Sequence, residues 1–284
     1  MTESAVRAIA TGLARAGQLS SVVGVAMLEF DEAAARNLDR TYATPDIVAQ
    51  RAAVLALLDL QPGERVVDIG SGPGYLLASM ADAVGPGGTV HGVDPSPPMN
   101  GLAQARAGDR DWVHITEGDA HALPLPGRSV DVAVSTQVYE YVADIPAALA
   151  ELRRVLRPGG RVLLLDTDWD SVVWHVTDRA RHARVMAAWE EHLAHPRLPR
   201  TLAGLLRRAG FTVNGQHVIP LFNPELQEDT YSANIMQLIA RFVPGRQGVT
   251  AEDAQGWSAD VRARAAEGEY FFSVNRYCVL AAAP

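Results

Sequence analysis

The sequence predicts an α/β protein: a mostly parallel sheet of seven strands with helices on both faces. Three observations predict it. From Arg65 onward, short apolar runs alternate with amphipathic stretches. The runs "RVVDI" and "GRVLLLD" are almost unbroken, as strands covered on both faces are. A glycine-rich turn joins the first run to the first helix, and strand–helix alternation of this kind builds a parallel sheet.

The elements follow in order. "RVVDI" (65–69) is the first strand, and the apolar spacing over 75–84 predicts a helix. "TVHGVD", a helix over 98–107, "WVHITEGD" and "VDVAVS" come next. The helix over 145–156 puts Leu149, Leu152 and Leu156 on one face, and Pro158-Gly159-Gly160 stops it before "GRVLLLD". "TLAGLLRRAGF" is amphipathic, "FTVNGQHVI" is the sixth strand, and "EYFFSVNRYCVLA" is the long last one. Between those two strands, residues 221–268 stand where a hairpin needs only a few. Ile235, Leu238, Ile239 and Phe242 share a helical face there, and Thr250 with Asp253 forms a capping-box pattern. A second insertion spans 169–196. The chain reads as one domain over 1–284. Residues 1–60 are a helical cap, 61–220 and 269–284 the core, and 221–268 an inserted helical lid.

With 284 residues, 48% of them hydrophobic, the chain can bury a large core. All 25 basic residues are arginine, which excludes lysine chemistry. The formal charge of -8 argues against a nucleic-acid partner, which needs a positive footprint. One cysteine, Cys278, forms neither an internal disulfide nor a cysteine-rich zinc site, so no metal is expected. No apolar run approaches the roughly 20 residues of a membrane span. The expectation is a cytoplasmic protein without a membrane span.

The stretch "VVDIGSGPGYL" places Asp68, Gly70, Gly72 and Gly74 at the exit of the first strand. Such a turn lets backbone N–H groups approach an adenosine-type cofactor. A nicotinamide site wants G-x-G-x-x-G, and here the third glycine comes one place early. Asp94 ends the second strand, placed to accept both hydroxyls of a ribose, and Asp119 ends the third, beside an adenine edge.

At this point the sequence resembles the class I S-adenosylmethionine-dependent methyltransferases, in particular the small-molecule branch that includes the ubiquinone/menaquinone-biosynthesis enzymes. The resemblance runs from about 46 to 211. "VVDIGSGPG", "VDPSPPM", "EGDAHALPLP", "VDVAVSTQVYEYVAD" and "ELRRVLRPGGRVLLLD" carry it. It implies a Rossmann-like core and S-adenosylmethionine as cofactor. Asp68 and Gly70 would face the methionine part, Gly72 and Gly74 would let the cofactor lie close, and Asp94 would hold the ribose. Pro95 and Met99 would pack near the adenine, Asp119 and Ala120 would read its amino group, and Ser135 would border the methionine end. Tyr42 and Arg51 fall where relatives bring an N-terminal helix over the cofactor carboxylate. The chain departs from the family at Glu140-Tyr141-Val142, where relatives carry Glu-His.

Methyl transfer from a sulfonium is a direct displacement, so positioning and desolvation supply much of the rate. A base is needed only when the acceptor loses a proton. Acceptor groups are expected above the strand ends: Gln137, Tyr139 and Tyr141 after the fourth strand, Trp169, Trp174 and His175 after the fifth, and Tyr231 in the late insertion. The catalytic candidates are His175, for its near-neutral pKa, and Tyr141. The aromatic content favours a small apolar or aromatic acceptor, methylated on O, C or N. A cofactor-binding fold used for cyclase-like chemistry or regulation is the alternative. The late insertion reads as a lid or as a surface for a homodimer.

Overall fold

The computed structural model describes residues 38–284, so most of the cap expected over 1–60 lies outside the described residues. Helix α1 (Pro45–Leu58) leads into β1 (Arg65–Ile69), α2 (Tyr75–Val84), β2 (Thr89–Asp94), α3 (Pro97–Ala107), β3 (Val113–Glu117) and β4 (Val130–Thr136). Helix α4 (Ile145–Val155) passes directly into β5 (Leu156–Thr167). Then come β6 (Val173–Trp174), α5 (Arg179–Trp189), α6 (Pro199–Arg208) and β7 (Thr212–Asn223). Helices α7 (Tyr231–Phe242) and α8 (Ala251–Ala266) precede the last strand, β8 (Phe272–Ala282).

Strands β1 to β5 are parallel in the order β3-β2-β1-β4-β5, and β8 runs antiparallel beside β5. Strand β7 adds the outer antiparallel edge on β8. The seven expected strands are all present. An eighth, the two-residue β6, pairs with Phe272 and Ser273 and is too short to leave a pattern in the sequence.

Period-two alternation decides which helices each strand residue meets. On β1, Val66 packs with Leu58, Leu77 and Met80, whereas Val67 and Ile69 join Leu149, Leu152 and Leu202 on the other face. Each of these leucines, fully buried, contributes roughly 1.5–3 kcal/mol. Helix α4 starts at Asp144, whose carboxylate accepts the Ala147 N–H, and carries Pro146 in its first turn.

The late insertion is shorter than its expected bounds of 221–268, because Leu221 and Asn223 still pair with β8. Helices α5, α7 and α8 bury their own apolar cluster around Trp174, Trp189, Trp257 and Ile239. The Thr250–Asp253 capping box forms. Asp46, in the first turn of α1, ties this layer to the rest. Its Oδ2 accepts from the Tyr231 N–H (2.9 Å) and Asn223 Nδ2 (3.0 Å), and its Oδ1 from the Thr44 hydroxyl and the Ile47 N–H.

Candidate active site

The three glycines of the turn after β1 do different things. All have positive φ, +71° at Gly70, +52° at Gly72 and +80° at Gly74, the region where a Cβ is penalised. A Cβ on Gly70 would collide with the Val138 side chain, and one on Gly74 would come within 2.8 Å of the Ala103 backbone on α3. Both glycines make room for packing, Gly74 for α3 and Gly70 for Val138, and Gly70 also lines the cleft, which Gly74 does not. Only Gly72 faces open space, with nothing within 4 Å of a Cβ there.

Two buried carboxylates flank that opening. Asp94 accepts the Gly72 N–H on Oδ2 and the Ser96 N–H on Oδ1, both at 2.9 Å. Burial raises its pKa, and the two N–H donors oppose the rise. Asp68 lines the cleft and accepts no side-chain hydrogen bond among the described residues. Burial pushes its carboxyl up to about 7, with the Asp94 charge adding to the effect.

Tyr42, Gln50 and Arg51, from α1 and the residues before it, cover the turn. Arg51 donates to the Tyr42 carbonyl at 3.1 Å, and its guanidinium lies 4.8 Å from the centre of the Tyr75 ring. Arg106 packs on the same ring at 3.6 Å and pairs with Asp39 at 3.0 Å. The space left is about 40 Å³, little more than the ~30 Å³ share of one water. An adenosine cofactor needs more room than this, and the Arg51 and Tyr75 side chains are among those that narrow the cleft. The chemistry of the cleft suits S-adenosylmethionine: two carboxylates, an open glycine and an arginine. The buried Ser71 hydroxyl, which lacks a partner among the described residues, adds a donor.

The other expected cofactor residues divide. Met99 and Ala120 are buried, Pro95 is exposed two residues before α3, and Asp119 is exposed, its Oδ1 accepting the His121 N–H at 2.6 Å; none of the four lines the cleft. Ser135 is corrected. Its hydroxyl donates to the Ile69 carbonyl at 2.8 Å and braces β4 against β1. The next residue, Thr136, lines the cleft instead.

Beyond Tyr42 lies a buried polar cluster. Glu140, Asp166 and Arg276 are each at most 3% exposed. Asp166 accepts the Val138 and Glu140 N–H groups, Glu140 accepts Trp169 Nε1 at 2.9 Å, and Arg276 donates to the Gln50 amide. The Arg276 guanidinium also lies 4.7 Å from the centre of the Tyr231 ring. Burial raises both carboxyls, Glu140 to about 7 and Asp166 well above the carboxylate range, with the Glu140 charge acting on Asp166. An arginine inside "FSVNRYCVLA" was the available signal, since a buried strand tolerates a charge only when it is paired.

Tyr42, Tyr141 and Tyr231 surround this cluster, and burial raises all three phenols, Tyr42 to about 12. Gln137 adopts φ +60°, and its amide oxygen accepts from Thr167 at 2.5 Å. Three expected acceptor or catalytic residues are corrected. Tyr139 is fully buried in the core among Ile69 and Leu149. Trp174 is interior to the helical layer, edge-on to Trp257. His175 is exposed, with Nε2 3.6 Å from Glu269 Oε2, and lines no part of the cleft. A run such as "WDSVVWH" gives no period that tells which residue turns inward.

No helix among the described residues is long and apolar enough to cross a membrane, and no group of three or more His, Cys, Asp or Glu is placed to hold a metal ion. Comparison with known proteins bears on the cleft. The family described as "Methyltransferase domain" matches residues 67–164. An uncharacterized 37.1 kDa protein in a transposon of Streptomyces fradiae is 39% identical over 62% of this chain and 51% of its own length. Nocamycin O-methyltransferase of Saccharothrix syringae is 34% identical over 58% of this chain and 64% of its own. The ubiquinone/menaquinone biosynthesis C-methyltransferase UbiE of Caulobacter vibrioides is 40% identical over 40% and 48%. The chain thus spans about half to two thirds of the length of these relatives. A solved structure, a putative methyltransferase from Bacillus halodurans, superposes with a TM-score of 0.59 at 18% identity, over 83% of this chain and 99% of that one. Residues 67–164 therefore match a methyltransferase domain, and they fill the parallel part of the sheet described above.

Proposed function

We propose that this chain transfers the methyl group of S-adenosylmethionine to an oxygen, carbon or nitrogen of a small apolar or aromatic acceptor. One adjacency carries the reading: Tyr42 lines the glycine-turn cleft and also lies within electrostatic reach of Arg276, Tyr231 and Glu140. Cofactor side and acceptor side would thus meet at one buried tyrosine. Asp68 and Arg51 would hold the methionine part, Asp94 the ribose, and Met99, Ala120 and Asp119 the adenine. Tyr141, Tyr231, Gln137 and Trp169 would line the acceptor. The cofactor supplies an activated methyl on a positively charged sulfur.

The residues of this chain would position the acceptor and exclude water, the helical layer of α5, α7 and α8 acting as the lid. A hydroxyl acceptor loses one proton as its oxygen–carbon bond forms, and Glu140, lifted by burial to about 7, would take it. The net charge of -8 supports a small acceptor over a nucleic acid. The exposed Phe222 and Phe271 rings, 5.3 Å apart at the β7 edge, support a homodimer. The free buried Cys278 supports a reducing, cytoplasmic setting.

Calorimetry with S-adenosylmethionine, S-adenosylhomocysteine and NAD, then incubation of methyl-labelled cofactor with phenolic and enolic metabolites, tests the reading. Binding of the first two and not of NAD is expected, with label appearing in an organic product. Cofactor binding without label transfer to any fraction of a metabolite extract would point to a non-methylating use of the fold.

A further inference from the structure

A second concavity, of about 960 Å³, lies at the opposite end of the sheet from the glycine turn. It opens where β4 and β5 begin. The cleft lies where β4 ends, seven residues and therefore about 20 Å away. The C-terminal turns of α4 and α6 and the connection before β4 form its walls. Four arginines line it, Arg128, Arg153, Arg154 and Arg208, and no aspartate or glutamate does. That segregation is notable in a chain with 33 acidic residues against 25 basic ones.

Local partners account for little of this charge. Glu151 pairs with Arg154 at 2.7 Å, and Arg153 donates only to the Ala209 carbonyl, at 3.3 Å. The Arg128 and Arg208 side chains have no ion-pair partner among the described residues. All four are exposed. Placing arginines near helix C-termini offsets the dipoles of α4 and α6, but Arg128 belongs to neither helix. Between the cations the floor is apolar, formed by Leu149 and Leu205.

We infer that this groove docks an acidic, amphipathic segment of a partner protein. The cations come from three separate elements, α4, α6 and the connection before β4, and apolar side chains share the lining with them. No buried polar side chain lines the floor. A compact anion such as phosphate needs convergent donors, whereas a helix with apolar residues on one face and carboxylates on its flanks matches an apolar floor between basic walls. Because the guanidinium groups are solvent-exposed, the attraction is screened within about 8 Å at physiological salt, and docking is correspondingly salt-sensitive.

Fluorescence anisotropy tests this with a labelled peptide of about 16 residues, long enough to hold helix on its own, with leucine at three- and four-residue spacing and glutamate elsewhere. The full chain is expected to bind it saturably and to bind a scrambled peptide of the same composition at least about tenfold more weakly. Arg128→Glu/Arg208→Glu should weaken binding by about tenfold or more, while the affinity for S-adenosylhomocysteine stays within about twofold. The neutral pair Arg128→Gln/Arg208→Gln serves if the charge reversal fails to fold, and should also weaken binding several-fold. Absence of saturable binding, equal affinity for the scrambled peptide, or variants that bind as well as the parent overturn the inference. Complete displacement by inorganic phosphate at constant ionic strength overturns it too, because the site would then be one for a compact anion.

Discussion

Replacing Asp94 tests the cofactor side most directly, because its two oxygens each hold one backbone N–H at 2.9 Å, at Gly72 and at Ser96. Hydrogen bonds to a charged acceptor are worth about 1.5–3 kcal/mol each, so two of them bound the stability loss at roughly 6 kcal/mol. Desolvation of the carboxylate, visible in its raised pKa, offsets part of that gain, and Asp94→Ala should therefore destabilise by about 2–4 kcal/mol. Asparagine does not rescue it. Its one oxygen satisfies one N–H, and its amide nitrogen then confronts the other donor. Affinity for S-adenosylhomocysteine should fall at least about thirtyfold, equivalent to about 2 kcal/mol. Thermal denaturation reads the first effect and calorimetry the second. An asparagine variant that melts with the parent and binds within about twofold of it would refute both the clamp and the ribose contact.

The remaining predictions concern the same cleft and its surroundings. Asp68 is raised to about 7, so the folded chain holds a proton that the unfolded chain releases near 3.8. Stability is then greatest below about 4, falls by at most about 1.4 kcal/mol per pH unit as pH rises toward 7, and is flat above. Urea titrations at several pH values should show a shallower slope for Asp68→Asn, and an identical slope would refute the burial argument. Gly70→Ala should cost about 2–4 kcal/mol through its positive φ and its collision with Val138. Adding Val138→Ala should recover much of this, and a strictly additive double variant would exclude the contact. His175→Ala should leave turnover and cofactor affinity unchanged, since the ring is exposed beside Glu269. A tenfold loss of turnover would return it to the site.

Local pattern made most of the sheet legible. Strands β1, β4 and the second half of β5 are buried on both faces and read as apolar runs; helix α4 declares itself by leucine spacing, although it ends at Val155 and Pro158-Gly159-Gly160, expected as its stop, belongs to β5. The carboxylates at the ends of β1 and β2 were legible because strand ends are where a parallel sheet offers side chains to a ligand. What failed depends on contacts across the chain. Ser135 and Thr136 look interchangeable until the Ile69 carbonyl claims one hydroxyl. Gln50 and Arg276, 226 residues apart, meet only after α1 folds over the end of β8. The aromatics of the second insertion divide between cluster and core according to a layer that no local period encodes.

Asp46 has a consequence for how stability is shared. With one carboxylate it fastens the start of α1, which covers the glycine turn, to Asn223 and to Tyr231, the first residue of α7. Two covers that sequence separates by 185 positions thus hang on a single side chain. Asp46→Ala should therefore lower the hydrogen-exchange protection of α1 and α7 together while the parallel strands keep theirs. Loss confined to one of the two helices would show that they open independently.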